Sequence, residues 1–128
     1  PEVFITDEVA KIKIIVIEEG PGQWSFKYPL ANEKEKGFTA LHMAVMGQSE
    51  LLTEFLLNKE AQVNIQDNLS WQTALHFCVE IKSLKICRLL LEKGANPDLL
   101  DKDGMSSIDL ARVRGQLEMV KLMEKKRG

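Results

Sequence analysis

Apolar and polar positions along this chain change their period once, near residue 36. Ahead of that point, Lys11-Ile12-Lys13-Ile14-Ile15-Val16-Ile17 is dense in β-branched residues, which favour strands. Gly20-Pro21-Gly22 interrupts the run. Trp24, Phe26 and Tyr28 then alternate with Ser25 and Lys27, the two-residue period of a half-buried strand. A β-hairpin is the first expectation. The same residues also admit a helix, because Val9, Ile12, Val16 and Ile17 share one helical face and Glu18-Glu19-Gly20 resembles a helix end. On that reading the segment is the second helix of a degenerate pair whose first helix lies ahead of Pro1. Asn32 to Lys36 is a charged connector.

From Lys36 onward the apolar spacing is three and four residues, the period of helices with one buried face. Thr39 is suited to capping a helix start by accepting a bond from a free backbone N–H. Leu41, Ala44 and Val45 then form an apolar face, which Gly47 and Gln48 end. A second helix presents Leu52, Phe55 and Leu56 inward, with Leu51 as a further candidate. The pattern returns with Leu75, Cys78 and Val79, followed by Ile86, Leu89 and Leu90. Gly94 supplies the left-handed residue that helix ends favour, whereas Glu60 stands at the matching place in the first pair. Asn96-Pro97-Asp98 and Asp103-Gly104 are turn signals.

These pairs are copies of one unit. Thr39-Ala40-Leu41-His42 recurs unchanged as Thr73-Ala74-Leu75-His76, 34 residues on, and Ser106-Ser107-Ile108-Asp109 echoes it 33 residues later. A small residue, Ala44, Cys78 or Ala111, stands two places after the fourth position each time. In these residues the chain resembles the ankyrin-repeat proteins over roughly residues 36 to 128. The resemblance implies a mainly α solenoid of about three helix–turn–helix repeats, spanning 36–68, 69–102 and 103–128, with Asn64 at the family's loop asparagine. Residues 1–35, as hairpin or degenerate repeat, are expected to cover one end of the stack, since a terminal repeat otherwise leaves its apolar face in water. Arg112 replaces Val45 and Val79, so the stack is expected to end there, with the arginine stem covering the open face.

Seventeen basic residues against 19 acidic ones leave a net charge of −2, which gives no global attraction to nucleic acid or to an anionic membrane. The longest wholly apolar run, Ile14 to Ile17, is far shorter than the ~20 residues of a membrane helix. No secretory signal is visible, and two cysteines make no disulfide framework, so an intracellular place, cytoplasmic or nuclear, is expected. The chain opens at Pro1 without Met and is read as a fragment of a longer protein.

Candidate chemistry is sparse. His42 and His76, taken as equivalent positions of neighbouring repeats, sit about one helix-packing distance apart, ~8–10 Å. Both cannot then reach one zinc at ~2 Å. They are read as structural, each bonded to Thr39 or Thr73 and to a neighbouring loop carbonyl. Cys78 and Cys87 are read as small buried hydrophobes. The basic end, Lys121 and Lys125-Lys126-Arg127, suits a helix C-terminus. No phosphate loop and no nucleophile–base set appears, so no catalytic residue, cofactor, metal or small-molecule substrate is expected.

The positive signal is a surface. The ankyrin resemblance implies a groove lined by the outward side of each first helix and by the loop tips. It maps to Met43 and Met46, to Phe77, Glu80 and Ile81, and to Leu110, Val113 and Arg114, with Asp67, Leu69, Trp71, Gln72, Lys102 and Met105 at the tips. Large apolar side chains among charges mark protein interfaces, and Trp and Arg are enriched among energetic anchors. A protein partner is therefore expected. The stretch Asn64-Ile65-Gln66-Asp67 through Trp71-Gln72-Thr73-Ala74-Leu75-His76 to Val79-Glu80, with one extra loop residue, resembles the I-kappa-B group of transcription-factor inhibitors. That resemblance implies a Rel-type transcription factor as partner. Trp71 departs from it, standing where that group has a turn glycine. The other reading makes the chain the targeting segment of a larger enzyme.

Overall fold

The computed structural model describes the backbone of residues 2–7, 12–20 and 23–27, and residues 38–59 and 61–127. Three strands come first: β1 (Glu2–Asp7), β2 (Ile12–Gly20) and β3 (Gln23–Lys27). They pair antiparallel in the order β1-β2-β3, with Phe4 opposite Ile15 and Val16 opposite Phe26. The expected hairpin is thus the β2–β3 pair, with a register shift between Glu18 and Gly20. The helical alternative for this stretch is not what the backbone adopts. β1 was not expected, although Val3, Phe4, Ile5 and Thr6 all belong to strand-favouring types.

Six helices follow among the described residues: α1 (Ala40–Met46), α2 (Glu50–Asn58), α3 (Ala74–Ile81), α4 (Leu84–Glu92), α5 (Ser107–Val113) and α6 (Leu117–Arg127). Each consecutive pair packs together; α1, α3 and α5 form one layer, and α2, α4 and α6 the other. This is a mainly α ankyrin-repeat architecture. The helices are short, so their ends are satisfied locally. Thr39, Ser49, Thr73, Ser83 and Ser106 each cap a helix by accepting a bond from a backbone N–H three residues on. Between the two helices of each pair the backbone turns through a left-handed residue, Gln48, Lys82 or Gly115. Gly94 is left-handed at φ +90°, as expected for the turn after α4; Glu60 lies outside the described residues.

The core runs the length of the stack. Ala44, Cys78 and Ala111 are wholly buried, and their small size is what lets neighbouring first helices approach. Leu41, Val45, Leu52, Leu56, Leu75, Val79, Ile86, Leu90 and Ile108 fill the space between layers. Leu51 corrects the expectation for α2: it is 83% exposed, because Leu52 and Leu56 already occupy the inward face. Arg112 is exposed and reaches Asp109 at 3.5 Å and Glu124 at 2.9 Å, so a charged triad takes the place of the valines before it. Both cysteines are buried thiols. Contact with the Cys87 thiol and burial push the Cys78 thiol far above its usual range, as befits an inert core residue.

One buried position is unsatisfied. Thr53, wholly buried on α2, has a hydroxyl with no hydrogen-bond partner among the described residues. Its counterparts one and two repeats on are Cys87 and Val120, both buried and apolar. Thr53→Val removes the stranded hydroxyl while keeping the branched shape, and is expected to stabilise the chain by about 1 kcal/mol. An upward shift of the urea unfolding midpoint with unchanged slope is the readout.

Candidate protein-interaction surface

The loop tips are held out from the helices by two histidines. The Thr39 N–H donates to His42 Nδ1 at 3.1 Å, with the Thr39 hydroxyl 2.8 Å from the same nitrogen. Nδ1 is therefore the acceptor, and the proton sits on Nε2, which donates to the Gln72 carbonyl at 2.8 Å. His76 repeats the arrangement, bonded to Thr73 through Nδ1 and donating from Nε2 to the Met105 carbonyl at 2.9 Å. Each ring thus caps its own helix and fixes the tip of the next repeat. Both ring nitrogens are occupied in each case, as the structural reading of these residues requires. In the third repeat Asp109 closes the capping box with Ser106.

The first tip is built around one carboxylate. Asp67 is buried and accepts bonds from the backbone N–H groups of Leu69, Ser70 and Gln72 and from the Ser70 hydroxyl, at 2.6–3.1 Å. Burial pushes its carboxyl up, but these four donors outweigh it and hold the pKa below the usual carboxylate value. Asp67 is consequently a loop organiser and not the tip contact expected from sequence. Asp101 plays the same part in the second tip, accepting from the Asp103 and Met105 N–H groups. The tips are also joined to each other. Gln72 donates its side-chain amide to Asp101 at 3.2 Å, and the Lys102 N–H donates to the Ser70 carbonyl at 2.9 Å. Gln66 donates to both the Trp71 and Leu100 carbonyls.

On this frame the expected surface residues separate. Leu69 (65% exposed), Trp71 (54% exposed) and Lys102 stand on the linked tips, and Met105 is half-buried beneath them. Trp71 has φ +59°, left-handed backbone that a bulky residue rarely adopts. Gln72 is half-buried, with its amide group committed to Asp101. Phe77 corrects the expectation outright: it is 7% exposed and meets the rings of His42 and Phe38 edge-on at 5.0 and 5.9 Å. Edge-to-face packing in the core is its role.

Along the groove, Met46 and Glu80 are exposed, while Met43, Ile81 and Leu110 are half-buried against the core. Arg114 pairs with Glu80 at 2.8 Å, so the two charges meet across neighbouring repeats. Val113 is exposed, at the place Met46 and Glu80 hold in the earlier repeats. Sequence reasoning missed Leu100 and Ile65, both exposed. The available signal for Leu100 was its place just before the tip aspartate, where Gln66 precedes Asp67.

Burial lowers the His42 pKa from its ordinary 6.5, although the Gln72 carbonyl and Asp67 act the other way. The unfolded chain then binds more protons than the folded one below about pH 6.5. The stability that neutral His42 contributes is full above that value and is lost as pH falls below it. The melting temperature followed by circular dichroism is expected to drop between about pH 7.5 and pH 5.5. His42→Gln, which keeps a donor for the Gln72 carbonyl, is expected to make that slope shallower.

No helix among the described residues is long and apolar enough to cross a membrane. The model for ankyrin repeats (3 copies) matches residues 52–127. The chain is 34% identical over 90 residues to the mouse NF-kappa-B p105 subunit, covering 70% of this chain and 9% of that protein. It is 31% identical over 125 residues to the pig NF-kappa-B inhibitor alpha, covering 94% of this chain and 38% of that protein. It is also 33% identical over 82 residues to the Arabidopsis thaliana ADP-ribosylation factor GTPase-activating protein AGD4, covering 64% of this chain and 10% of that protein. The chain therefore spans between 9% and 38% of the length of these three relatives. Stacked helix pairs with tied loop tips are the architecture of an interaction fold, and the chain belongs to the ankyrin-repeat family.

Proposed function

We propose that the linked tips and the adjoining groove bind a partner protein, with Trp71 as the principal anchor. Leu69 and Lys102 flank it on the tips; Met46, Glu80 and Arg114 extend the surface along the first helices, and Met43, Ile81, Met105 and Leu110 support it as half-buried floor. The observation that carries this reading is the conformation of Trp71. A tryptophan in the left-handed region costs about 1–2 kcal/mol relative to ordinary backbone, and here it is more than half exposed. The Asp67 loop holds the indole in this conformation with half of it in water, which burial against a partner would cover, and strained positions cluster at binding sites. Because the Asp67 carboxylate and the histidine ties fix the tips beforehand, little ordering entropy is lost on binding.

The partner we propose is a Rel-type transcription factor, bound in the manner of an inhibitor, which would place the chain's work in the cytoplasm or nucleus. Support comes from the names of two relatives, an NF-kappa-B subunit and an NF-kappa-B inhibitor. The likeness to the inhibitor covers 94% of the chain and so extends ahead of Thr39. A second reading, favoured by the GTPase-activating relative, makes the chain the targeting segment of a longer enzyme with catalysis elsewhere.

Trp71→Gly separates binding from folding. Glycine relieves the left-handed backbone, offset by the extra freedom it gives the unfolded chain, so stability is expected to hold or to rise by up to about 1 kcal/mol. Affinity for a purified Rel-homology dimer, read by isothermal titration calorimetry, is expected to fall roughly 30-fold, as loss of a central aromatic anchor implies. No saturable binding by the native chain sinks the Rel-type assignment. Equal affinities of native and variant chains remove Trp71 from the interface.

A further inference from the structure

The opposite side of the stack carries a second surface. The turn between α3 and α4 and the turn between α5 and α6 leave an open cleft of about 390 Å3, with Leu84, Leu117 and Met119 on its floor. Leu117 is 67% exposed, although it opens α6 and could have turned inward. A smaller hollow of about 180 Å3 continues between α4 and α6 and shares Leu84 and Glu118 with the first. Together they make one open depression with leucine and methionine side chains between charged ones. Its rim is cationic: Lys82 stands at one end, and Arg88, Lys121 and Lys125 along the other part. The single carboxylate in the lining, Glu118, reaches Lys121 only at 3.8 Å. Lys82, Arg88 and Lys125 make no ion pair among the described residues. Four cations against one anion, in a chain of net charge −2, is a local reversal of the overall balance.

We propose that this cleft docks an acidic amphipathic segment of a protein, with its apolar residues on Leu84, Leu117 and Met119 and its carboxylates against Arg88, Lys121 and Lys125. Charge complementarity decides the occupant. An apolar floor flanked by cations rejects a basic or neutral helix less well paired with it and accepts an acidic one. A bilayer is disfavoured by shape, because Leu84 and Met119 are recessed between the helices, where an inserted side chain reaches and a flat membrane surface does not. The site is separate from the tips and does not depend on the reading of Trp71.

The probe is a fluorescein-labelled peptide of about 15 residues, long enough to hold a helix, built of Glu and Leu with leucines at helical spacing. Fluorescence anisotropy with the whole chain is expected to give saturable binding that weakens as NaCl is raised. Arg88→Glu combined with Lys125→Glu is expected to weaken it roughly tenfold, and Leu117→Ser to weaken it independently. These are surface substitutions, and circular dichroism checks that each variant folds. Trp71→Gly is expected to leave this binding unchanged. The proposal is overturned if a peptide with Gln in place of Glu binds equally well, if the cleft variants bind like the native chain, or if no saturable binding occurs. It is likewise overturned if phosphatidylserine vesicles are bound through these cations and the peptide is not.

Discussion

A hydrogen bond from a buried imidazole to a backbone carbonyl some 30 residues away holds this stack in register. His42 donates to Gln72 and His76 to Met105. These bonds tie each tip directly to the helix that precedes it, whereas the polar links between the tips run from one loop to another. The bond also demands a neutral ring with its proton on Nε2, and the threonine three residues earlier enforces that by donating to Nδ1 from its own N–H. One four-residue motif therefore starts a helix, chooses a tautomer and positions the next loop. Its hold is local and sequential, as in other stacks where each repeat meets only its neighbours.

Rigidity of this kind lets strain persist. Trp71, Gln48 and Lys82 all occupy left-handed backbone without being glycine. At Trp71 the cost is met by the carboxylate of Asp67, which gathers three N–H groups and a hydroxyl into a fixed loop. The consequence is division of labour within the tip from Asp67 to Gln72: the side chains of Asp67, Ser70 and Gln72 are consumed in building it, and Leu69 and Trp71 are left outside.

That division explains what could be read from the residues and what could not. The repeats, the helix faces and the histidine bonds follow from patterns that recur at fixed spacing, as in Thr39-Ala40-Leu41-His42 and its copy. Local chemistry at a motif survives in one dimension. Phe77 was misplaced because its burial depends on Phe38 and His42, which the preceding repeat contributes, and Asp67 because its own loop closes on the carboxylate from Leu69 to Gln72. Leu51 and Leu52 are adjacent and chemically identical, so only the roll of α2 against its neighbours separates them. Leu100 was missed because the adjacent pair Leu99-Leu100 in a loop carries no period. Strand β1 has strand-favouring residues from Val3 to Thr6 but no two-residue period to mark it, and its pairing with β2 is a contact that one dimension does not display.

The triad of Asp109, Arg112 and Glu124 has a consequence for how copies of the molecule meet. A repeat stack is built from surfaces that recognise the next unit along one axis, and two such molecules placed end to end would continue the same interaction without limit. Heterologous contacts of that kind generate open filaments. Where Val45 and Val79 would invite a neighbour, the third repeat offers a guanidinium held between two carboxylates, and burying it beneath another stack would strip water from three charges at once. The triad thus disfavours growth of a fibre along the solenoid axis through this face of the third repeat.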